Sequence, residues 1–345
     1  MSAVVKKLPG YRLTLAGIFL ACFVVILGAF TRLVDAGLGC PDWPGCYGHL
    51  LWPNDEQEIA AANSAFPDMP VIAGKPWPEM VHRYLAGMLA LLIFVLAVFA
   101  CLNRKNQAYP FRQIMFMSVL VIWQALFGMW TVTLKLWPQV VTIHLLGGFM
   151  TFTLMTVLAQ RLSNYRWQLS ERHYDALYKQ RRAVTLGIIV VFAQVMLGGW
   201  LASNYAAFGC VDFPTCNGRW WPQMNMGSGF NIFQGIGPNY LGGLLDNEAR
   251  VAIHFMHRLG ALITFLYLFY LGVRLFAIKF AGSRKLMLAI WVVLFIQILL
   301  GITNVVLHIP LWISVAHNFV GAILVASLAA LLTQIYRMRL IEQPK

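Results

Sequence analysis

Four histidines lie near the starts of long apolar segments, where an ionisable residue is costly and therefore indicates a function. They are His82 and His144 in the first half of the chain, and His257 and His317 in the second half. At 1.5 Å per helical residue, each lies within about 15 Å of the same end of its segment. Two neutral imidazoles that face each other across a helix bundle can serve as the axial ligands of a haem iron.

Other interpretations of these histidines stay open. A tetrahedral zinc site needs three or four ligands close together, and a copper site needs cysteine or more methionine beside the histidines. Each histidine can also be an ordinary polar residue that bridges two helices. The histidines outside these pairs, His254 excepted, are His49, His173 and His308, which fall in or beside predicted loops. We expect those three to be solvated.

The two halves differ at the residue three positions before the first histidine of each pair. Glu79 precedes His82, whereas His254 precedes His257. A spacing of three places both residues on one helix face, so Glu79 is predicted to point toward whatever His82 binds. A carboxylate there can accept a proton or stabilise a developing positive charge. The alternative is a solvated acid that the helix dipole favours at a helix start. The sequence indicates no role for His254.

An arginine directly follows the first histidine of each pair. These residues are Arg83 and Arg258. Because a guanidinium binds carboxylates well, each is a candidate partner of a haem propionate near the outer surface. The alternative is that each side chain extends to the lipid headgroups.

Four of the six cysteines form two pairs with C-x5-C spacing, between apolar segments on the predicted outer side. Because that side is oxidising, we expect the disulfides Cys40–Cys46 and Cys210–Cys216. Each bond is either a structural link that closes a tight turn or a reversible dithiol that passes electrons. The sequence does not decide between these two roles.

The elements that must position these residues are long apolar helices. The chain is 59% hydrophobic and 11% charged, against about 45–50% and about 25% in soluble domains, which excludes a soluble globule and a disordered chain. A bilayer core of about 30 Å needs roughly 20 apolar residues in a helix. Eight stretches of about this length are present, at residues 13–34, 80–102, 113–133, 140–162, 183–203, 250–273, 285–306 and 313–335.

Positive charge assigns the sides of the membrane. Of the 26 Lys and Arg residues, 19 lie at the two termini and in the segments 103–112, 161–182 and 274–285. The positive-inside rule therefore predicts that both termini are cytoplasmic. The first apolar stretch has no small-residue cleavage site and a short segment before it, which favours the bacterial inner membrane. Membrane topology thus accounts for the net charge of +13, and we expect no nucleic-acid partner.

The halves of the chain are repeats of each other. The block that runs from Gly28 to Gly48 aligns with the block from Gly198 to Gly218 at a constant offset of 170. Further matches at offsets of 173 to 175 pair the following residues: His82-Arg83 with His257-Arg258, Gln124 with Gln297, Gly128 with Gly301, and His144 with His317. Several blocks at nearly one offset indicate an internal duplication.

We therefore predict an all-α integral membrane protein with eight transmembrane helices. An even number of spans in each half keeps its orientation, so the halves are expected to form two parallel four-helix bundles related by a pseudo-twofold axis. The predicted units are residues 1–162 with the outer loop 35–79, the cytoplasmic linker 163–182, and residues 183–345 with the outer loop 204–249.

Together these features resemble the haem A synthase family, the membrane enzymes that complete haem A for cytochrome oxidase assembly. The resemblance covers about residues 12–337 and rests on the following residues in order: Glu79-x-x-His82-Arg83, His144, His257-Arg258, His317 and the loop cysteines. It implies that the substrate haem O binds between His82 and His144, and that His257 and His317 hold a haem b cofactor. It also implies oxidation of a porphyrin methyl to a formyl group, assisted by Glu79.

The same resemblance implies disulfides in the outer loops and a haem O synthase as the upstream partner, in addition to membrane lipid. The electron acceptor is not identified. An alternative is a di-haem b protein that transfers electrons from quinol. It does not explain why the first half has Glu79 at the position where the second half has His254. A transporter built from parallel repeats is a second alternative. It predicts polar sites at the membrane midplane, whereas the polar residues here cluster near the outer ends.

Overall fold

The computed structural model describes residues 6–341, where the regular secondary structure is almost entirely helical. Its helices are α1 (Tyr11–Leu33), α2 (Glu56–Ala65), α3 (Pro76–Leu102), α4 (Phe111–Thr133), α5 (Pro138–Leu162), α6 (Glu171–Lys179), α7 (Arg181–Ser203), α8 (Met226–Gly229), α9 (Asn247–Ala277), α10 (Ala281–Val306) and α11 (Leu311–Arg337). Eight of them are long and apolar enough to cross a membrane. The eight predicted spans are confirmed, with ends that differ by at most four residues.

The connections contain short elements that hydropathy does not predict. Helices α2 and α8 lie in the two outer loops, and α6 lies within the predicted linker. Strands β1 (Gln168–Leu169) and β2 (Arg339–Leu340) pair in parallel over two residues each, and the predicted all-α class is confirmed. Two-residue strands carry no periodic pattern, which is why the sequence does not reveal them. The ends of the predicted units, residues 1–5 and 342–345, lie outside the described residues.

Proline and aspartate begin the helices that carry the paired histidines. Proline occupies the first turn of α3 and α5, where its missing N–H is not needed. Helix α9 begins after Asp246, whose carboxylate accepts a hydrogen bond from the Ala249 N–H at 2.7 Å. These starts fix how deep each histidine lies along its helix.

The helices of each half contact one another in a closed ring. In the first half the ring is α1, α3, α4 and α5, and in the second half it is α7, α9, α10 and α11. Between the halves, α5 packs against α11 and α7, and α1 packs against α11. Small residues of α11, Ala322 and Ala326, are buried in the core of the first half. The pseudo-twofold axis stays a prediction, although the contacts of the two halves correspond helix by helix.

Candidate functional site

His82 and His144 face each other inside the first bundle. Each is the seventh residue of its helix, α3 or α5, and the two ring centroids are 6.4 Å apart. Gly28 on α1 leaves room for the His82 ring, because a Cβ atom there would lie 3.0 Å from Cε1 of His82. Gly128 on α4 does the same for His144, at 3.3 Å from Cε1. Four helices therefore position this pair.

The second bundle repeats this arrangement. The ring centroids of His257 on α9 and His317 on α11 are 6.5 Å apart. A Cβ atom at Gly198 would lie 3.1 Å from Cε1 of His257, and a Cβ atom at Gly301 would lie 3.1 Å from Cε1 of His317. At each of these repeated positions, the absence of a side chain on glycine thus leaves room for a histidine ring.

One cavity of about 1460 Å³ connects the two histidine pairs. All four histidines line it, together with mostly apolar side chains from both bundles. A site for one drug-sized ligand has a volume of roughly 300–1,000 Å³. The cavity therefore has room for more than one large planar ligand.

The donor set fits the axial ligation of a porphyrin iron. Two imidazoles that bind one iron from opposite sides at about 2 Å place their ring centroids about 6 Å apart, close to the 6.4 and 6.5 Å observed. The Nδ1 atoms of His82, His144 and His317 are buried without a hydrogen-bond partner. Among residues 6–341 no three His, Cys, Asp or Glu side chains group closely enough to hold a metal ion. Pairs of donors suit an iron whose other ligands belong to a macrocycle.

Two glutamine side chains contact the second pair, and within the described part of the chain the first pair has no equivalent side-chain contact. Nε2 of Gln297 lies 3.4 Å from Nε2 of His317. The side-chain Nε2 of Gln194 on α7 lies 3.1 Å from Nδ1 of His257 and donates to the His257 carbonyl at 2.9 Å. The equivalent residue of the first half, 170 positions earlier, is Val24. Gln194 is not predicted from the sequence, because a single glutamine in an apolar helix resembles a packing residue. The signal that could have found it is this difference within the repeat.

Glu79 is buried, with 5% of its surface exposed, so the alternative of a solvated acid is wrong. Its carboxylate accepts the Cys40 N–H at 3.1 Å and forms an ion pair with Arg83. In the second half, Nδ1 of His254 accepts the Cys210 N–H at 3.3 Å. Glu79 and His254 thus anchor equivalent loops, which gives His254 a role. Both line the cavity, and the catalytic role of Glu79 stays a prediction.

The two arginines bind the outer loops. Arg83 donates to the carbonyl of Asp42 at 3.0 Å and to that of Gly45 at 2.6 Å. Arg258 donates to the carbonyl of Thr215 at 2.7 Å. Each guanidinium therefore holds a cysteine loop at the outer end of the cavity. The Nε atom of Arg258 is buried without a partner, and binding of propionates by both arginines stays a prediction.

Both predicted disulfides are present. Cys40 is bonded to Cys46 and Cys210 to Cys216, and in each pair the Cα atoms are 4.8 Å apart. Each cysteine pair encloses an aspartate whose carboxylate binds backbone N–H groups of the same loop. Asp42 accepts from the Gly48 N–H at 2.8 Å, and Asp212 accepts from the Gly218 N–H at 2.9 Å. Each loop is thus closed by two links, the disulfide and the aspartate carboxylate.

The pKa of Asp212 lies below its ordinary value. The main cause is the hydrogen bond that its carboxylate accepts from the Thr215 hydroxyl, followed by the one from the Gly218 N–H. Hydrogen bonds to the charged form of a carboxylate favour that form. Asp212 is therefore ionised wherever this loop is intact at neutral pH.

Of the remaining histidines, His49 and His308 lie in loops, and His173 lies in the short helix α6. The backbone of His49 pairs with that of Cys46. Nδ1 of His173 lies 3.0 Å from the Ser170 hydroxyl oxygen. His308 follows the end of α10 and is exposed. None of the three lines the cavity that the paired histidines line.

Comparison with known proteins finds one matching family model and several relatives that share one described activity. The family model described as cytochrome oxidase assembly protein, COX15-CtaA, matches residues 11–329. The chain is 42% identical to a haem A synthase of Shewanella oneidensis over 308 residues, which cover 89% of this chain and 91% of that protein. It is 27% identical to a haem A synthase of Sphingopyxis alaskensis, over 99% of this chain and 97% of the relative. A haem A synthase of Caulobacter vibrioides is also 27% identical, over 91% and 92% of the two chains.

Proposed function

The chain belongs to the COX15-CtaA family of cytochrome oxidase assembly proteins, and on that premise we propose that it is a haem A synthase. It is a membrane-bound oxidoreductase that converts haem O into haem A by oxidising a porphyrin methyl to a formyl group. The observation that carries this function is the geometry of the two histidine pairs, with ring centroids 6.4 and 6.5 Å apart on one cavity.

We assign haem O to the pair His82 and His144. Glu79 supports this assignment, because it is a cavity-lining carboxylate that the other half replaces with His254. With water as the oxygen source, conversion of a methyl to a formyl group releases four protons and four electrons, so a base beside the substrate can accept protons while an electron acceptor takes the electrons. An imidazole at that position cannot supply the negative charge that would stabilise a developing cation.

His257 and His317 then hold haem b, which supplies one-electron transfer when bound. Gln194 contacts His257 and limits the orientations of its ring, as polar neighbours of metal ligands usually do. The apolar walls of the cavity exclude water from both sites. Arg83 and Arg258, which hold the loops at the outer end, are the residues we assign to the propionates.

Within the substrate half, the residues around Glu79 keep its carboxylate in one place. Arg83 and the Cys40 N–H bind its two oxygens, so the group is oriented before any substrate arrives. A carboxylate oxygen held in this way can accept a proton from a group bound in the cavity. Proton acceptance at a carboxylate oxygen of Glu79 is thus the step we assign to this chain.

We place the protein in the bacterial inner membrane with both termini in the cytoplasm, because the basic residues concentrate on that side. A haem O synthase supplies the substrate upstream, and an electron acceptor receives the electrons that the methyl group loses. An apolar porphyrin can enter from the lipid, since the bundle walls face the bilayer.

Pigment extraction tests the proposal. Cells that lack haem A but make haem O should accumulate haem A when they express this chain. Glu79→Gln should retain bound haem but produce no haem A, and His173→Ala, in the short helix α6 outside the cavity, should behave as wild type. Unchanged haem A output from Glu79→Gln would reject the catalytic role of that residue.

A spectroscopic experiment tests the assignment of the halves. Purified wild-type protein should show low-spin, bis-histidine haem b, and His257→Ala or His317→Ala should remove it. If these variants keep full haem b while His82→Ala loses it, the assignment is reversed.

The similarity of the two histidine pairs also fits a second function, a di-haem b protein that transfers electrons. Such a protein would carry two haem b per chain and would produce no haem A from haem O. The pigment experiment therefore separates the two functions.

A further inference from the structure

We propose that the seam between α3 and α4 binds the isoprenoid tail of haem O, and that Gly87, Ala90 and Ala125 make room for it. This inference rests on the proposed function, because haem O carries a long isoprenoid tail and haem b does not. It deepens that function by naming the residues that distinguish the two porphyrins.

The internal repeat supplies the first observation. On α3, Gly87 and Ala90 correspond to Leu262 and Phe265 of α9, at the same offset of 175 that pairs His82 with His257. All four of these residues line the cavity. At both positions the second half therefore places a large side chain where the first half has a hydrogen atom or a methyl group.

The opposite wall of the seam shows the same difference. On α4, Val121 and Ala125 correspond to Leu294 and Ile298 of α10, at the offset of 173 that pairs Gln124 with Gln297. These four residues also line the cavity. In the half that we assign to the tail-free porphyrin, larger side chains on both α9 and α10 therefore narrow the space between these helices.

The seam is open where the small residues lie. A Cβ atom built on Gly87 would meet no atom within 4 Å. Gly87 and Ala125 both line the cavity and are both exposed. Small side chains on both helices thus leave space between α3 and α4, and a chain that leaves the porphyrin can follow this path toward the lipid.

The seam begins at the histidine pair of the first half. Ala90 lies two turns after His82 on α3, about 12 Å deeper along the helix axis. Gly128, next to the seam on α4, contacts the ring of His144. A porphyrin bound there has its apolar substituents within reach of the seam.

The discrimination that this seam provides is steric. Lipid tails are as apolar as the seam, so an isoprenoid chain gains little hydrophobic free energy by moving from lipid into protein. A bulky side chain in the seam, in contrast, must displace the tail or be displaced by it, which overpacks the site. Leu262, Phe265 and Ile298 block the equivalent path in the second half.

A competition experiment tests the seam. Full-length protein in detergent is mixed with equal amounts of haem O and haem b without reductant or oxidant, and the bound pigments are extracted and counted per chain. Ala90→Phe should lower the bound ratio of haem O to haem b about tenfold. The total haem per chain should stay at the wild-type value, because haem b replaces haem O. Ala90→Val should give an intermediate ratio.

Two further variants make the result specific. Val95→Phe adds bulk on the exposed face of the same helix, at a residue outside the set that lines the cavity, and should keep the wild-type ratio. Phe265→Ala opens the second half and should raise the uptake of haem O.

A wild-type ratio in both Ala90→Phe and Gly87→Leu would overturn the proposal, and so would an equal loss of both porphyrins in Ala90→Val. Failure of the proposed function looks different. Wild-type protein would then form no haem A in cells, whatever the ratio of bound porphyrins.

Discussion

At the scale of single residues, the site is made by pairing a large ring with the smallest side chain. Each of the four paired histidines rests against a glycine of a neighbouring helix, with the virtual Cβ atom 3.0 to 3.3 Å from Cε1 of the ring. Such contacts are closer than ordinary packing, so a methyl group at these positions would rotate the ring. The glycines thus determine where the imidazoles point.

Gly198→Ala tests this relation. The added methyl group should force His257 off its preferred rotamer at a cost of about 1 kcal/mol, which corresponds to about fivefold weaker retention of haem b. Gly148→Ala is the matched control, because a Cβ atom there meets nothing within 4 Å. Haem content after dialysis against apomyoglobin measures the effect. Equal haem loss from the two variants would contradict it.

Gln194 should tune the iron that His257 holds. An imidazole that binds iron through Nε2 carries its proton on Nδ1 and needs an acceptor there. Rotation of the Gln194 side-chain amide, whose nitrogen lies 3.1 Å from Nδ1 of His257, would place its oxygen at that position as the acceptor. Gln194→Val removes that acceptor and makes the imidazole a weaker donor. The midpoint potential of haem b should therefore rise by about 20–60 mV, the equivalent of one hydrogen bond.

The repeat provides the control for this measurement. Val24→Gln introduces the same amide beside His82 in the other half and should leave the haem b potential at its wild-type value. Redox titration in the visible range measures both variants. An unchanged potential in Gln194→Val would show that the glutamine serves packing only.

At the scale of elements, each cysteine loop is a small unit held by three links. These are the disulfide, the aspartate that binds backbone N–H groups, and the arginine that binds backbone carbonyls. Both halves keep all three links, although the anchoring side chain on the helix changes from Glu79 to His254. The loop is therefore a common structural device, and the chemistry of the anchor is the part that differs.

Acid should loosen the second loop through Asp212. Its pKa is lowered by the hydrogen bond from the Thr215 hydroxyl and then by the one from the Gly218 N–H, so the carboxylate stabilises the folded loop above its ordinary pKa. This contribution disappears as the pH falls through the lowered value. At neutral pH, the backbone amide hydrogens of residues 217–218 should therefore exchange with solvent faster in Asp212→Asn than in wild type.

The difference between wild type and Asp212→Asn should vanish at pH values below the lowered pKa, once exchange is corrected for its intrinsic pH dependence. Hydrogen exchange read by mass spectrometry follows this segment. Thr215→Val, which removes the main cause of the shift, should give an intermediate rate. A difference that persists in acid would contradict the link to Asp212.

The elements differ in how well the sequence predicts them. The eight spans follow from apolar length, because a helix that crosses a bilayer must satisfy every backbone group internally. The histidine pairs follow as well, because the repeat places His82 and His144 at matching depths to His257 and His317. Gln194 and the partners of Glu79 do not follow. They depend on which helix faces which, and hydropathy contains no information about that.

At the scale of the whole molecule, the two bundles form one body. Thr142 on α5 and Ser203 on α7 share a buried hydrogen bond of 3.1 Å. The outer loop of the second half also extends over the first, where its Gln234 carbonyl accepts from the Trp137 indole N–H at 2.9 Å. Because the cavity crosses this boundary, the relative position of the two porphyrin sites depends on the contact between the bundles.

The contact between the bundles should hold without the covalent linker. A protease site inserted after Asn164, in the segment between α5 and β1, allows the purified protein to be cut there. When one fragment is then captured through an affinity tag in mild detergent, the other fragment and the bound haem should be recovered with it. Gly199→Leu should separate the cut fragments, because a Cβ atom at Gly199 already lies 3.2 Å from Thr142 across the boundary and a larger side chain would overpack it. If the fragments separate without this substitution, the linker and not the packed boundary joins the halves.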